Sequence, residues 1–197
     1  MSVTLQKGQT VSLNKADQSG LHRVVMGLGW DPARSKGGFL GRLLGGGSTH
    51  VDLDASCVAL DRQGAQMDQI WFRQLRSSCG SIEHTGDNLT GEGEGDDEQI
   101  IVKLDQVPQE IATLFFLVNN FTGQDFQQVA SAYCRLVDAD TNTELARYDL
   151  GTQGQHSALI MAMLFREPSG WAFRALGEPS QGRTFHDLLP VLRRFMQ

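Results

Sequence analysis

Short runs of alternating apolar and polar residues fill most of the first 150 positions. In the clearest run, VDLDASCVAL at 51–60, an extended strand would place Asp52, Asp54 and Ser56 on one face and the apolar residues between them on the other. Similar runs predict strands at 3–5, 10–13, 21–30, 67–75, 99–104, 111–121, 130–137 and 144–150. Short strands at regular spacing with turn residues between them are typical of an all-β sandwich.

The pattern changes in the C-terminal third. Residues 156–167 (HSALIMAMLFRE) are rich in helix formers and apolar on most faces, which predicts a helix packed against a sheet. After a turn at 168–170, residues 171–177 predict a further strand. A final helix is predicted over 184–196, capped by Thr184 and shortened or kinked by Pro190. The predicted fold is therefore mainly β, a two-sheet β-sandwich with a few short helices, mostly C-terminal.

A glycine-rich segment at 35–50 (SKGGFLGRLLGGGSTH) interrupts the strand pattern. It lacks the Gly-Lys-Ser/Thr spacing of a P-loop. One interpretation is a long loop whose leucines lie on the protein surface. The other is a mobile apolar and basic tip, with Arg34, Lys36 and Arg42, that contacts a partner or a membrane surface.

Length, composition and charge narrow the class of protein. The chain has 197 residues, 40% of them hydrophobic, which predicts one globular domain over 1–197. The formal net charge of −6 argues against nucleic acid as a partner and favours cations.

No apolar run approaches the roughly 20 residues that span a bilayer, and the N-terminus lacks the features of a signal peptide. We therefore expect a cytoplasmic protein. Cys57, Cys79 and Cys134 form no CxxC pair, and we expect them to act as small apolar residues in or near the core.

The most unusual stretch is HTGDNLTGEGEGDDEQI, residues 84–100, where six carboxylates are interspersed with four glycines. Hard cations such as Ca²⁺ take six to eight oxygen ligands from carboxylates, backbone carbonyls and amide side chains. Glu92, Glu94, Asp96 and Glu98 are spaced by two and would share a face if extended. The spacing is not that of an EF-hand.

Crowded carboxylates repel one another unless a counter-charge lies among them. No lysine or arginine occurs between Arg76 and Lys103. The segment is therefore either an extended solvated loop or a site that a cation folds. Asp31, Asp52 and Asp54 would complete one or two oxygen cages if they met the segment in space.

The sequence contains the four motifs GLGWD at 27–31, DLDAS at 52–56, HTGDNLTGEGEGDDE at 84–98 and ELARYDL at 144–150. Together they resemble the TerD family of tellurium-resistance and stress-response proteins, and the likeness runs along nearly the whole chain. DQIWFRQL at 68–75, GQH at 154–156 and GRT at 182–184 are most similar to the TerZ-type members.

The resemblance implies a calcium-binding β-sandwich of the bacterial cytoplasm, with two neighbouring Ca²⁺ ions. By motif, the implied ligands are Asp31, Asp52, Asp54, Asp87, Asn88, Glu92, Glu94, Asp96, Asp97 and Glu98, with the backbone carbonyls of Leu89 and Gly91. Among these, Asp31, Asp52, Asp54, Asp87 and Asp97 are the strongest candidates.

The main functional hypothesis is a calcium-dependent binding or scaffold module that contributes to tellurite resistance without catalysing a reaction. Its partners would be proteins of the same resistance system, with the inner membrane surface as one meeting place. An alternative is a metal- or thiol-dependent enzyme acting on tellurite, although the chain has no GxSxG, HExxH or CxxC motif. Another alternative is an acidic adaptor that binds a basic partner without metal. His84, the first residue of the acidic segment, is the histidine best placed to support a metal ligand.

Overall fold

A computed structural model describes residues 3–13, 21–32, 53–86, 95–119, 129–150, 155–182 and 184–196. Within these ranges the chain forms twelve β-strands, one α-helix and one 3₁₀ helix. The strands are β1 Val3–Thr4, β2 Thr10–Ser12, β3 Arg23–Pro32, β4 Asp54–Leu60, β5 Gln66–Ile70, β6 Ile82–His84, β7 Glu98–Lys103, β8 Thr113–Asn119, β9 Val129–Asp138, β10 Thr143–Leu150, β11 Ala158–Glu167 and β12 Gly170–Ser180. The helix α1 is Phe185–Leu192, and the 3₁₀ helix is Arg193–Met196.

The strands form two six-stranded sheets. Sheet A has the order β1-β10-β9-β3-β7-β6, and sheet B has the order β2-β12-β11-β8-β4-β5. The pairing of β1 with β10 is parallel, and the other described pairings are antiparallel. The predicted mainly β, two-sheet architecture is confirmed.

The main hydrophobic core lies between the sheets, where alternate residues of each strand point inwards. On β3 these are Val24, Met26, Leu28 and Trp30, all almost fully buried. The intervening residues of β3 lie on the outer face of sheet A. This alternation decides on which side of the sheet each functional side chain lies.

The predicted helix at 156–167 is wrong, because this segment contains β11, an internal strand of sheet B. Both faces of β11 are covered. Leu159 and Met161 belong to the core between the sheets, whereas Ala158 and Ile160 belong to a second cluster on the outer face. A strand buried on both faces is apolar at nearly every position, so periodicity cannot distinguish it from a buried helix.

The outer face of sheet B is covered by α1. Phe185, Leu188 and Leu192 of the helix pack in one cluster with residues of β4, β8 and β11. Thr184 is the N-cap, as predicted, and its backbone N–H donates to the Asp187 carboxylate at 3.0 Å. Pro190 lies within the helix, which ends two residues later and continues as the 3₁₀ helix.

Cys57 and Cys134 are buried in the core, as expected, but Cys79 is exposed in a turn. The expectation that all three cysteines lie in or near the core is therefore wrong for Cys79. In the described part of the chain no helix has both the length and the apolar character needed to cross a bilayer. The glycine-rich segment at 35–50 lies outside the described residues.

Candidate cation site at one end of the sandwich

The described members of the predicted ligand set lie where β3 ends and where β4 and β7 begin. They are Asp31, Asp54, Asp96, Asp97 and Glu98. The other seven predicted ligands, Asp52, Asp87, Asn88, Leu89, Gly91, Glu92 and Glu94, lie outside the described residues. The antiparallel pairing of β3 with β7 brings the end of one strand to the start of the other, which places Asp31 near the end of the acidic segment.

Asp97 is tied to β3 by two hydrogen bonds. Its backbone N–H donates to the Leu28 carbonyl, and the Trp30 backbone N–H donates to its carboxylate Oδ2, each at 2.8 Å. Burial raises the pKa of Asp97, and the charges of Asp31, Glu98 and Asp96 raise it further, against the opposing effect of the Trp30 N–H. The carboxylate is thus fixed in a crowded, electronegative position.

Asp31 lies on the exposed side of the same corner. The Ser131 hydroxyl of the adjacent strand β9 donates to Asp31 Oδ2 at 2.6 Å and orients the carboxylate. Its charge is close enough to raise the pKa of Asp97. The structure therefore brings together Asp31 and Asp97, two of the predicted ligands.

Glu98 points into the sandwich, where it forms a buried pair with His84. The Glu98 Oε2 atom accepts the Ala55 backbone N–H at 2.6 Å and lies 3.3 Å from His84 Nε2. His84 Nε2 is also 3.2 Å from the Ala55 carbonyl, and the Gly86 N–H donates to His84 Nδ1 at 3.1 Å. Because Nδ1 accepts that hydrogen bond, the ring proton lies on Nε2.

The Glu98–His84 pair provides hydrogen bonds to the backbone of β4 in sheet B. Strand β5 pairs with β4 only from Cys57 onwards, so among the described strands Ala55 has no paired neighbour on that side of β4. Glu98 and His84, both from sheet A, supply the hydrogen-bonding partners that a neighbouring strand would otherwise give. The start of β7 is thereby anchored across the sandwich directly beside Asp97.

Asp96 points to the outer face of sheet A and is neutralised by Arg135 of β9. The Arg135 Nε and Nη2 atoms donate to the two carboxylate oxygens at 2.7 and 3.0 Å, and Gln99 donates to Oδ2 at 3.0 Å. The Asp96 side chain is only 1% exposed. The acidic segment has no lysine or arginine of its own, and the counter-charge for Asp96 comes from Arg135, about 40 positions further along the chain. Arg135 would compete with a cation for Asp96, whose ligand role remains a prediction.

Two glycines of the GLGWD motif make room for this arrangement. A Cβ atom at Gly27 would overlap the Asp96 carboxylate, and one at Gly29 would overlap the Tyr133 ring. The Tyr133 hydroxyl lies 2.7 Å from the Gly95 carbonyl and 3.1 Å from Asp96 Oδ1. Sequence reasoning missed Tyr133 and Arg135, because the alternation in β9 places both on one face but does not show which residues they contact.

Asp54 occupies a different face. The apolar neighbours Ala55 and Cys57 belong to the core, so Asp54 and Ser56 lie on the outer side of sheet B, in agreement with the predicted alternation. Asp54 is 4% exposed and pairs in register with Asn119 of β8. Its ligand role remains a prediction.

Within the described ranges, no three His, Cys, Asp or Glu side chains are arranged to hold a metal ion. The described carboxylates nevertheless match the chemistry of a hard cation. Asp31 and Asp97 are oxygen donors held by neighbouring groups, and their mutual repulsion is what a cation would relieve. They could form one side of a site that the predicted ligands outside the described ranges would complete.

Comparison with known proteins supports the family resemblance that the four motifs indicate. The chain is 50% identical to the tellurium resistance protein TerZ of Serratia marcescens over 186 residues, covering 94% of each chain. It is 42% identical to the stress response protein SCP2 of Bacillus subtilis, covering 96% of this chain and 98% of SCP2.

The fold also matches solved structures. A homologue of telluride resistance protein (TerD) from Streptomyces coelicolor A3(2) superimposes with a TM-score of 0.65 at 22% identity, covering 83% of this chain and 92% of that one. The TerD domain matches residues 1–190. The chain therefore belongs to the TerD domain family.

Proposed function

We propose that this protein is a calcium-binding stress-response protein that contributes to tellurite resistance and acts as a calcium-dependent binding module. The observation that carries the proposal is the pair of carboxylates Asp31 and Asp97, each oriented by a hydrogen bond and close enough for the charge of Asp31 to raise the pKa of Asp97. The relatives named for tellurium resistance and stress response support the biological process.

Hydrogen bonds within the protein would orient the ligand carboxylates before a cation binds. Ser131 orients Asp31, the Trp30 N–H orients Asp97, and the Glu98–His84 pair fixes the start of β7. A calcium ion would neutralise the repelling carboxylates and supply a centre for the oxygen ligands of residues 87–94. The family resemblance suggests two ions and the full predicted ligand set.

Calorimetric titration with Ca²⁺ after chelator treatment tests this proposal. Asp97→Asn and Asp31→Asn should each weaken binding about tenfold or more, because each removes a charged oxygen ligand while retaining one neutral oxygen. Asp105→Asn is the matched control, since Asp105 is exposed just beyond the opposite end of β7. Equal affinity in all three variants would exclude Asp31 and Asp97 as ligands.

The binding-module part of the proposal concerns partners of the same resistance system in the cytoplasm or at the inner membrane surface. Capture of these partners should require calcium and fail with Asp97→Asn. An acidic adaptor would behave differently, because its partners would remain bound in chelator and dissociate as salt is raised.

A further inference from the structure

At the opposite end of the sandwich from Asp31 and Asp97 lies a cleft of about 740 Å³, within the usual range for small-molecule sites. Strand β8 connects the two ends, since Asn119 pairs with Asp54 whereas Thr113 lines the cleft. The cleft lies on the outer side of sheet B, beside the 3₁₀ helix.

The charge of this cleft is opposite to that of the chain as a whole. Arg62, Arg166 and Arg174 line it, and Glu167 is the one acidic residue among its described lining residues. Arg62 is exposed. Burial lowers the pKa of Arg166, and the charge of Arg62 lowers it further, so these guanidinium groups are close enough to repel each other. An anion would relieve that repulsion.

Two of these arginines, Arg166 and Arg174, are held in defined positions. Arg166 donates to the carbonyls of Val107 and Ile111 at 2.8 and 3.0 Å and lies 4.3 Å from the centre of the Trp171 ring. Arg174 donates to Thr10 Oγ1 at 2.9 Å and lies 4.9 Å from the centre of the Phe165 ring. Fixed guanidinium groups lose little entropy when they bind a carboxylate or phosphate.

The cleft also has apolar walls. Phe165 and Phe195 line it from opposite elements, β11 and the 3₁₀ helix, and both rings are only partly buried. A plain inorganic anion would leave these rings exposed to water, whereas a ligand with an aromatic or aliphatic portion would cover them.

We propose that the cleft binds a small amphiphilic organic anion. Arg62 and Arg174 would hold its carboxylate or phosphate, and Phe165 and Phe195 would contact its apolar portion. The proposal is independent of calcium, because none of these residues belongs to the predicted ligand set.

Titration of the full chain with 1-naphthyl phosphate, followed by calorimetry and by amide shifts in NMR spectra, tests the proposal. We expect saturable binding of one molecule, with shifts at the residues that line the cleft. Arg62→Gln should weaken it about threefold to fivefold, since one partly exposed ion pair is lost, and Arg62→Glu should weaken it further. Arg76→Gln, which removes an exposed arginine of the pair with Glu83, should leave binding unchanged.

The neutral alcohol 1-naphthol and inorganic phosphate should each bind more weakly than 1-naphthyl phosphate. Asp97→Asn should bind the probe as the unaltered chain does, which separates this cleft from the calcium site. Absence of saturable binding, equal binding by the two Arg62 variants and the unaltered chain, or equal affinity for inorganic phosphate would each overturn the proposal.

Discussion

At the scale of single residues, the pair of Asp96 and Arg135 explains how the acidic segment joins the folded protein. A carboxylate that is 1% exposed needs a partner, and Arg135 supplies two charge-assisted hydrogen bonds. Gly27 and Gly29 leave the space in which Asp96 and Tyr133 lie across sheet A. The two glycines of GLGWD therefore allow Asp96, at the end of the acidic segment, to pack on sheet A beside Tyr133.

Removal of the Arg135 side chain should lower the stability of the fold. Arg135→Met would leave Asp96 buried without its counter-charge, and we expect the free energy of unfolding to fall by about 2–3 kcal/mol, less than for a fully buried pair because Arg135 is 30% exposed. Urea denaturation measures the change. The double variant with Asp96→Asn should recover part of the loss. An effect no larger than that of Arg23→Gln, at an exposed arginine, would contradict this account.

The three cysteines should differ in reactivity. Burial raises the pKa of Cys57, and raises that of Cys134 to about 12, whereas at Cys79 the effect of burial is outweighed by hydrogen bonds with the Ser77 and Ser81 hydroxyls, which lower the pKa. Iodoacetamide at mildly alkaline pH should therefore modify Cys79 first in the native protein, as mass spectrometry of peptides would show.

Ser81→Ala should slow the modification of Cys79, because it removes a hydrogen bond that favours the thiolate. Modification of Cys57 or Cys134 at the same rate in the native protein would contradict the structure. Cys79→Ser also tests the thiol-dependent alternative function. If cells that carry this variant keep full tellurite resistance, the accessible thiol is not responsible.

At the scale of elements, alternation along the chain predicts most strands well because one face of each strand packs on the core. It fails at β11, which is apolar on both faces and is also rich in the helix formers Ala, Leu and Met. The final helix is predictable because Thr184 caps it locally. Contacts between distant strands, such as Asp96 with Arg135 and Glu98 with Ala55, leave no such local signal.

The cover formed by α1 should contribute measurably to stability. Leu188 of α1 is fully buried against sheet B, so Leu188→Ala should lower the free energy of unfolding by about 3 kcal/mol. The same change at half-buried Leu189 should cost less than half as much. Chemical denaturation of both variants tests this, and equal losses would show that α1 does not pack as described.

At the scale of the whole molecule, the sandwich separates two regions of opposite charge. The corner with Asp31 and Asp97 is electronegative, whereas the cleft with Arg62 and Arg174 is electropositive. The sequence predicted the first region, because its carboxylates cluster in one segment and in recognisable motifs. The second region is not apparent from the sequence, because Arg62 is about 100 positions away from Arg166 and Arg174, which lie on the paired strands β11 and β12.

Thermal unfolding of the unaltered chain and of Asp97→Asn, each in chelator and in millimolar Ca²⁺, tests the central claim most directly. Calcium at about 100 times its dissociation constant should raise the melting temperature of the unaltered chain by about 5–10 °C. In chelator Asp97→Asn should be at least as stable, because its amide oxygen can still accept the Trp30 N–H while the repulsion with Asp31 is gone. Calcium should then raise its melting temperature much less. Equal melting temperatures of the unaltered chain in chelator and in calcium, with no heat of binding, would contradict the account.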